Sequence, residues 1–394
     1  MNKCIAYEQT PDTTIVNKML LSGIKTGTEA MSSQLSDAQK KSQNMYDNRI
    51  NVLNSEWHGS LTRFFDTYTD ISNDNTYDVT YSNLVDQLNN GYHIVHVSTH
   101  GYGYNNNAWC METGLPFNSS HALSLYNNLP SVILTDACNQ NAFDWPSDPC
   151  LSESFIRNSE GGAIVFWGSS REGFSNPGNS ISLSFKYNSD FLENLYCYSD
   201  VDNSYKGRFG FYTTLVKNNL APSVNINDKM RFLQFSINSI GDPEIPIYTD
   251  KPCEFTNVSV SYSGSNITVN TGGVQNCTIA LTSIDPADDY FAVFNNVSIA
   301  TFNDVLCPYN LVITKHNYIP YRYCQQDVYI QNVVFDTDVH VKGRNIYIGR
   351  SVIPLSLEGN VFVNPGNSII FEAEQNVYIK DGFILGAGST FEIK

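Results

Sequence analysis

The chain has 394 residues, a hydrophobic share of 41% and a formal net charge of −16. This length accommodates two or three domains with sizeable cores, and the hydrophobic share is typical of a globular chain rather than a disordered one. The negative charge argues against nucleic acids and anionic membrane surfaces as partners. No apolar run reaches the length of a transmembrane helix, and the first residues contain no signal-peptide core.

Strands and helices alternate through the first two thirds of the chain. Strands are predicted over residues 13–22, 64–70 and 162–168, helices over residues 37–52, 81–91, 150–159 and 180–197, and a final strand over residues 243–249. Two further strands end at His100 and at Cys138. This alternation predicts a mainly parallel α/β sheet with right-handed crossover connections.

The most informative segments surround His100 and Cys138. They are HIVHVSTHGYG, VILTDACNQNAFD and, further along, GGAIVFWGSSREGF. Each begins with a short apolar run rich in β-branched residues, which is typical of a buried parallel strand, and each ends in small or polar residues. Because ligands bind at the carboxyl ends of the strands in open α/β sheets, His100 and Cys138 form a candidate pair of base and nucleophile.

The residue types suit acyl transfer. A neighbouring imidazole favours the thiolate of a cysteine and can protonate a leaving amine. Gly101 permits close approach of the backbone, so the N–H groups of Gly101 and Cys138 are candidate donors to a developing oxyanion. The spacing alone leaves open a second interpretation, in which Cys138 is a buried thiol and His100 a core histidine.

A metal site is the other chemistry that these histidines suggest. His93, His96 and His100 form the pattern H-x-x-H-x-x-x-H. Side chains alternate along a strand, so His93 is expected to face away from the other two, and no acidic third ligand follows. We therefore predict no metal site and a core position for His96. The nine cysteines match no zinc knuckle. Disulfides are left open among the four in the last third of the chain, Cys253, Cys277, Cys307 and Cys324.

The composition changes after Pro252. Short alternating runs separated by turn residues continue to about residue 325, which indicates a small β-sandwich. Four copies of a short motif then begin at residues 327, 345, 360 and 376, at intervals of 18, 15 and 16 residues. They predict a short β-solenoid or β-roll in which one ring per copy stacks in register. The four rings are those of Tyr329, Tyr347, Phe362 and Tyr378.

The motifs around the two candidate residues resemble those of a known family. The sequence His100-Gly101, and then Ala137-Cys138 followed by Ala142-Phe143-Asp144, resembles the gingipain family of clan CD, whose members have a caspase-like fold. The resemblance also includes three further segments, CLSESFIRNSEGG, GAIVFWGSSREGF and GDPEIPIYT. It extends from residue 1 to about residue 330. It implies a caspase-like parallel-dominated sheet with flanking helices, a Cys/His dyad and hydrolysis of peptide bonds.

The resemblance also implies a division into domains. Residues 1–12 are expected to be the remnant of an N-terminal subdomain, and residues 13–250 the caspase-like catalytic domain. Residues 251–326 are expected to form an immunoglobulin-like β-sandwich, and the internal repeat, rather than the resemblance, assigns residues 327–394 to a β-repeat tail. Gingipain-like enzymes carry a secretory signal and a propeptide, so the chain is expected to lack an upstream part.

Further site residues follow from the resemblance. In this family a carboxylate assists the histidine, and Glu29 is the nearest acid to the matching segment. Asp136 is a second candidate because of its position on the same strand face as Cys138, with the alternative that it only caps the following loop. Asp37 corresponds to the acid at the base of the S1 pocket and Phe174 to its aromatic wall, with Trp109 on a second loop at the mouth. Arginine is therefore the expected P1 residue. The alternatives left open are that Asp37 is an ordinary first-turn helix residue and that the two rings only cover the sheet end.

We therefore predict a secreted or cell-surface cysteine endopeptidase that acts on proteins or peptides. It needs no cofactor, although a structural calcium ion is left open, and its β tail is a candidate for contact with the cell envelope. Two alternatives are a non-catalytic surface adhesion or binding protein built on a peptidase-like scaffold, and a peptidase that cuts only its own precursor.

Overall fold

The computed structural model describes residues 2–24, 59–66, 76–77, 79–102, 107–111, 114–145, 149–174, 183–197, 205–263, 265–284, 289–353 and 357–394. The chain divides into two compact units, Met1–Pro252 and Cys253–Lys394. Within the described ranges, no helix is both long enough and apolar enough to cross a bilayer.

The described residues of the first unit form a seven-stranded sheet. Its strands are β1 (Lys18–Gly23), β2 (Ser60–Asp66), β3 (Thr76–Tyr77), β4 (Ile94–Ser98), β7 (Ser131–Thr135), β8 (Ala163–Ser169) and β9 (Ile237–Gly241), while β5 (Gly101–Tyr102) and β6 (Ala108–Trp109) form a separate antiparallel pair. The strand order is β3-β2-β1-β4-β7-β8-β9, and among these described strands only β9 runs antiparallel to its neighbour. The predicted parallel-dominated α/β sheet is therefore confirmed.

Helices cover both faces of this sheet. They are α1 (Asn2–Gln9), α2 (Tyr81–Asn89), α3 (Ser119–Leu123), α4 (Leu151–Arg157), α5 (Leu183–Cys197), α6 (Phe209–Leu220) and α7 (Asp228–Ser236), with a short 3₁₀ turn at Ala221–Asn225. Neighbouring residues of one strand enter different cores, since Leu21 packs with α5, α6 and α7 whereas Leu20 packs with α2 and α4. This alternation is what a strand buried on both faces requires.

The last predicted strand is wrong. Residues 243–249 do not join the sheet, and the edge position is taken by β9, whose sequence INSIG is less apolar. Pro243 and Pro246 lack the N–H groups that a ladder needs. Ile245 and Ile247 are nevertheless fully buried, and they hydrogen-bond to the segment that begins α6. The helix predicted over residues 37–52 lies outside the described residues.

Helix α1 is anchored in the first unit by buried contacts. The Lys3 ammonium donates to four carbonyl oxygens at and beyond the end of α4, at 2.7 to 3.2 Å. The Tyr7 hydroxyl lies 2.7 Å from Nε2 of His93, and it accepts a hydrogen bond from the Tyr248 N–H at 3.3 Å. Burial lowers the pKa of His93 from its ordinary value of 6.5 to about 4.

The first part of the second unit contains two antiparallel sheets. One has the order β10-β11-β14, and the other β13-β12-β15-β16. Their bounds are β10 (Ser259–Ser263), β11 (Asn266–Asn270), β12 (Cys277–Ser283), β13 (Phe291–Val297), β14 (Ile299–Phe302), β15 (Tyr309–Thr314) and β16 (Tyr321–Gln325). Both sheets contribute to one apolar core, for example Val269 from the first and Leu281 from the second. The four cysteines of this part, all within the described residues, are not joined in disulfides.

The rest of the second unit is built from parallel strands. β17 (Val328–Ile330), β19 (Val339–Ile348), β21 (Ser368–Ile379) and β23 (Thr390–Ile393) form one sheet, and β18 (Val333–Phe335), β20 (Val361–Val363) and β22 (Phe383–Leu385) form another. The two sheets share one core. We call a strand of the first sheet, together with the strand of the second sheet that packs against it at the same level, a rung.

The ring stack of this part includes three of the four predicted residues. Tyr329 and Tyr347 stack with centroids 4.9 Å apart, and Tyr347 and Tyr378 at 4.7 Å. Phe362 lies in the other sheet, in register with Val334 and Ile384, so the prediction that it joins the stack is wrong. The first, second and fourth copies of the motif lie in one sheet and the third lies in the other, and a one-dimensional repeat does not reveal which sheet a copy joins.

The buried imidazole of His93 predicts a loss of stability in acid. Its folded-state pKa lies below the ordinary value, so the unfolded chain binds the proton first. The neutral His93 makes its full contribution to the free energy of unfolding above pH about 6.5. This contribution, on the order of 3 kcal/mol, is lost as the pH falls through about 4. Chemical denaturation at a series of pH values should show this loss, and His93→Gln should remove that part of the pH dependence. An identical pH dependence in the variant would contradict the assignment.

Candidate active site

His100 and Cys138 follow two neighbouring strands. β4 and β7 pair in parallel, with Val97 opposite Thr135 near their carboxyl ends. His100 comes two residues after β4 and Cys138 three residues after β7. The imidazole is exposed and the thiol is half-buried. The sheet topology therefore delivers both residues to the same edge, as the apolar runs in the sequence predict.

Gly101 lets the loop after β4 touch the backbone of Cys138. A Cβ atom at Gly101 would lie 1.9 Å from the Cys138 carbonyl oxygen and 2.4 Å from Nε2 of Gln140. The Gln140 amide in turn donates to the Cys138 carbonyl at 2.7 Å and to the Ala108 carbonyl at 3.1 Å. Because no side chain fits at Gly101, the contact between the two loops requires glycine.

Two backbone N–H groups face the sulfur of Cys138. The Gly173 N–H donates to Sγ at 3.1 Å, and the Gly101 N–H also hydrogen-bonds to the thiol. Burial raises the pKa of Cys138, and so do the carboxylates of Asp136 and Glu172, while the two N–H donors lower it. The net pKa is above that of an ordinary thiol, so a thiolate here needs a further positive group such as an imidazolium.

Gly173 is a site residue that the sequence reasoning missed. It lies just beyond β8, the strand next to β7. Its segment is tied to the loop after Cys138 by the Asn139 N–H, which donates to the Arg171 carbonyl at 2.9 Å. The Arg171 guanidinium also donates to the Asp144 carboxylate in a bidentate pair. The available signal was a glycine near the end of the next parallel strand in the sheet.

Asp136 lies two residues before Cys138. Its carboxylate accepts a hydrogen bond from the Ser98 hydroxyl at 3.1 Å, and its charge acts on the Cys138 thiol. A carboxylate at this position opposes the thiolate and attracts cations. The other two predicted acids, Glu29 and Asp37, lie outside the described residues.

The two predicted pocket rings are placed differently. Phe174 is half-buried, with its ring edge-on to Phe232 at 5.6 Å and the Lys229 ammonium 5.5 Å from its centroid. Trp109 is fully buried and packs against Phe117 and Phe155. The expectation that Trp109 is exposed at the mouth is therefore wrong, because the pairing of β5 with β6 places its side chain in the core.

The remaining histidines of the motif are structural. His96 is buried, with its Nε2 3.3 Å from the Asn188 amide and its ring edge-on to Phe185, which confirms its predicted core position. His93 contacts Tyr7. Across the part of the chain that the structure describes, no group of three or more His, Cys, Asp or Glu side chains is arranged to hold a metal ion.

Comparisons with known proteins show the family and similar folds. The model of peptidase family C25 matches residues 1–248. The complex of the pro- and mature domains of RgpB from Porphyromonas gingivalis is similar in structure, with a TM-score of 0.59 and 16% identity over 82% of this chain and 72% of that chain. No curated protein matches.

Two further solved structures are similar. The Arg-specific cysteine proteinase gingipain R has a TM-score of 0.59 and 16% identity over 82% of this chain and 70% of its own. A structure described as that of a protease has a TM-score of 0.58 and 17% identity over the same shares. At these identities the likeness concerns the fold.

The close contact at Gly101 predicts what happens when a substitution adds one methyl group at this position. Gly101→Ala should displace the loop of His100 and weaken the N–H donor to the thiol, which should slow alkylation of Cys138 by iodoacetamide about tenfold or more. Gly173→Ala is the matched comparison, because its Cβ would come no closer than 3.0 Å to any neighbour and should have the smaller effect. Labelling rates measured by mass spectrometry, with thermal unfolding as the check on folding, would decide. Unchanged labelling of Gly101→Ala would contradict the placement.

Proposed function

The chain belongs to peptidase family C25 and is a cysteine-type peptidase, and we propose that Cys138 and His100 are its catalytic dyad. The observation that carries the proposal is the backbone contact of Gly101 with Cys138, which holds the His100 loop against the thiol. Proteins or peptides are the substrates of such an enzyme.

The chemistry follows from the groups at the strand ends. The His100 imidazole takes the thiol proton, and the Cys138 sulfur attacks the scissile carbonyl to form a tetrahedral oxyanion. The N–H groups of Gly101 and Cys138 would stabilise this oxyanion. The imidazolium then protonates the leaving amine, and water hydrolyses the resulting thioester with His100 as the base. Both reacting groups are side chains, so this scheme requires no cofactor.

The environment of the thiol makes His100 indispensable in this scheme. Burial and the carboxylates of Asp136 and Glu172 raise the pKa of Cys138. A protonated imidazole would offset them by pairing with the thiolate. Glu29 is the proposed acid that orients His100, by resemblance to the family.

The dyad is tested by substitution. Cys138→Ala and His100→Ala should each lower peptide hydrolysis by a factor of about 10⁴ or more, with the fold intact. Cys110→Ala is the matched control, because burial raises the pKa of this neighbouring thiol to about 11, and it should retain activity. A peptidyl chloromethyl ketone should label Cys138 and leave Cys110 unlabelled. Retained hydrolysis without Cys138 would overturn the proposal.

We propose that the S1 pocket accepts a basic residue, with arginine preferred. The carboxylates of Asp136 and Glu172 act on the thiol and give the cleft a negative potential. The Lys229 ammonium makes a cation–π contact with the ring of Phe174. A P1 guanidinium would make a contact of the same type. Asp37 is the proposed acid at the pocket floor, by resemblance. The similar gingipain R is described as Arg-specific.

A library of P1 substrates tests this pocket. The wild type should cleave best after Arg, less well after Lys and poorly after neutral residues. Asp37→Asn should lower kcat/KM for Arg substrates by about 30-fold or more, because a charged bidentate pair is lost. Lys229→Ala should lower KM for Arg, since it frees the Phe174 ring for the substrate. A preference for an acidic or uncharged P1, or an Asp37→Asn variant with unchanged Arg cleavage, would rule out this pocket.

The second unit and the location complete the proposal. We propose that residues 253–325 form an immunoglobulin-like module and residues 327–394 a short β-solenoid. The structural matches cover 82% of the chain and so extend beyond the residues of the family model, which supports the module. An enzyme of this type would act outside the cell or at its surface, with the solenoid as the proposed contact with the envelope.

A further inference from the structure

The side chain of Gln140 is completely buried in the loop that follows the proposed nucleophile. The backbone of this loop is held on two sides. The Gln140 carbonyl accepts a hydrogen bond from the Ser152 N–H, near the start of α4, at 3.1 Å. On the other side, the Asn139 N–H donates to the Arg171 carbonyl at 2.9 Å. The side chain of Gln140 therefore extends from a backbone whose position is fixed.

The amide of this side chain donates to two carbonyl oxygens. Nε2 of Gln140 lies 2.7 Å from the Cys138 oxygen and 3.1 Å from the Ala108 oxygen. Both neighbours are acceptors, so the NH₂ end of the amide must face them. Oε1 is buried and has no hydrogen-bond partner in the part of the chain that the structure describes. Such an acceptor is costly, and an apolar side chain would fill the same space without it, so the value of a glutamine here lies in its two N–H donors.

One of the two acceptors fixes the backbone of the nucleophile. The Cys138 carbonyl belongs to the peptide group that links Cys138 to Asn139. This planar group is hydrogen-bonded at both ends, because its C=O accepts from Gln140 and its N–H donates to the Arg171 carbonyl. Rotation of the group would break both bonds, so the backbone from which the Cys138 thiol projects is held in one orientation.

The other acceptor belongs to the strand pair that follows His100. Ala108 lies on β6, opposite Tyr102 of β5. Two residues further along the chain, the Cys110 N–H donates to the His100 carbonyl at 2.9 Å. The hydrogen bond from Gln140 to Ala108 therefore ties the β5–β6 pair, and with it the backbone of His100, to the loop of the nucleophile.

We propose that Gln140 is a positioning residue, whose amide holds the thiol of Cys138 and the imidazole of His100 in the relative placement that proton transfer requires. This role rests on the proposed dyad, and Gln140 exerts it through the backbone of the two loops. A misplacement of reacting groups by about 1 Å costs about 100-fold in rate. Loss of the amide should therefore lower kcat, whereas KM, which depends on the substrate pocket, should change little.

Gln140→Met tests this role, because methionine has nearly the same size as glutamine but no N–H donor. The variant should lower kcat for peptide hydrolysis by about 100-fold and leave KM within about threefold of the wild type. Gln140→Asn keeps an amide on a side chain that is one methylene shorter, and it should retain about tenfold more activity than Gln140→Met. Far-ultraviolet circular dichroism and thermal unfolding establish that each variant is folded.

Asn141→Leu is the matched control. Asn141 is the next residue of the same loop and is also fully buried, but its amide donates to the Asn238 carbonyl at 2.9 Å and its Oδ1 accepts from the Ser152 hydroxyl at 2.7 Å. These partners lie on β9 and α4, not on the β5–β6 pair. Leucine removes both bonds at nearly constant size, so this variant should lose thermal stability yet keep kcat within about threefold of the wild type.

Cys138→Ala, measured alongside, separates this role from the dyad on which it rests. If Cys138→Ala is inactive while Gln140→Met keeps the kcat of the wild type, the positioning role is wrong and the dyad stands. The same conclusion follows if Gln140→Met and Asn141→Leu lower kcat equally, if the loss in Gln140→Met lies in KM, or if Gln140→Asn is no more active than Gln140→Met. Peptide hydrolysis by Cys138→Ala would overturn both. Should Gln140→Met fail to fold, Gln140→Asn gives the same comparison of kcat with KM, with an expected loss in kcat of about tenfold.

Discussion

The parallel pairing of β4 with β7 is the constraint on which the candidate active site depends. It brings two polar strand ends, more than thirty residues apart in sequence, to one edge of the sheet. The pairing is strongly specified, because a shift by one residue would turn every buried side chain of the strand to the opposite face. The backbone of Gly101 then packs directly against the carbonyl group of Cys138. This contact is so close that no side chain would fit at position 101.

The surroundings of Cys138 oppose and support the thiolate at the same time. Burial and two carboxylates raise the pKa of the thiol, whereas N–H groups from Gly101 and Gly173 lower it. These donors come from the loops after β4 and β8, the two strands that flank β7. The environment of one sulfur is therefore set by three adjacent strand ends, and formation of the thiolate would need a further positive charge nearby, which is the role proposed for His100.

The apolar strands of the two units are buried in different ways. In the first unit, helices close both faces of the sheet, and the core residues of β1 and β4 are almost completely buried. In the last part of the second unit, each rung is buried by its neighbours, so the core is complete only where a neighbour is present. Ile369 and Phe371, which lie between neighbouring strands of one sheet, are fully buried.

The sequence by itself determined the α/β class, the strand ends that carry His100 and Cys138, and the all-β character of the last third. These features depend on local patterns, which are apolar runs that end in polar residues and short alternating strands bounded by turns. The position of Gly173 beside the sulfur, the burial of Trp109 and the exclusion of residues 243–249 from the sheet were decided only by the tertiary structure. Each depends on which segments meet in space, and hydrophobicity along the chain does not encode that order. Phe362 illustrates the limit, since its motif resembles the other copies but its strand belongs to the other sheet.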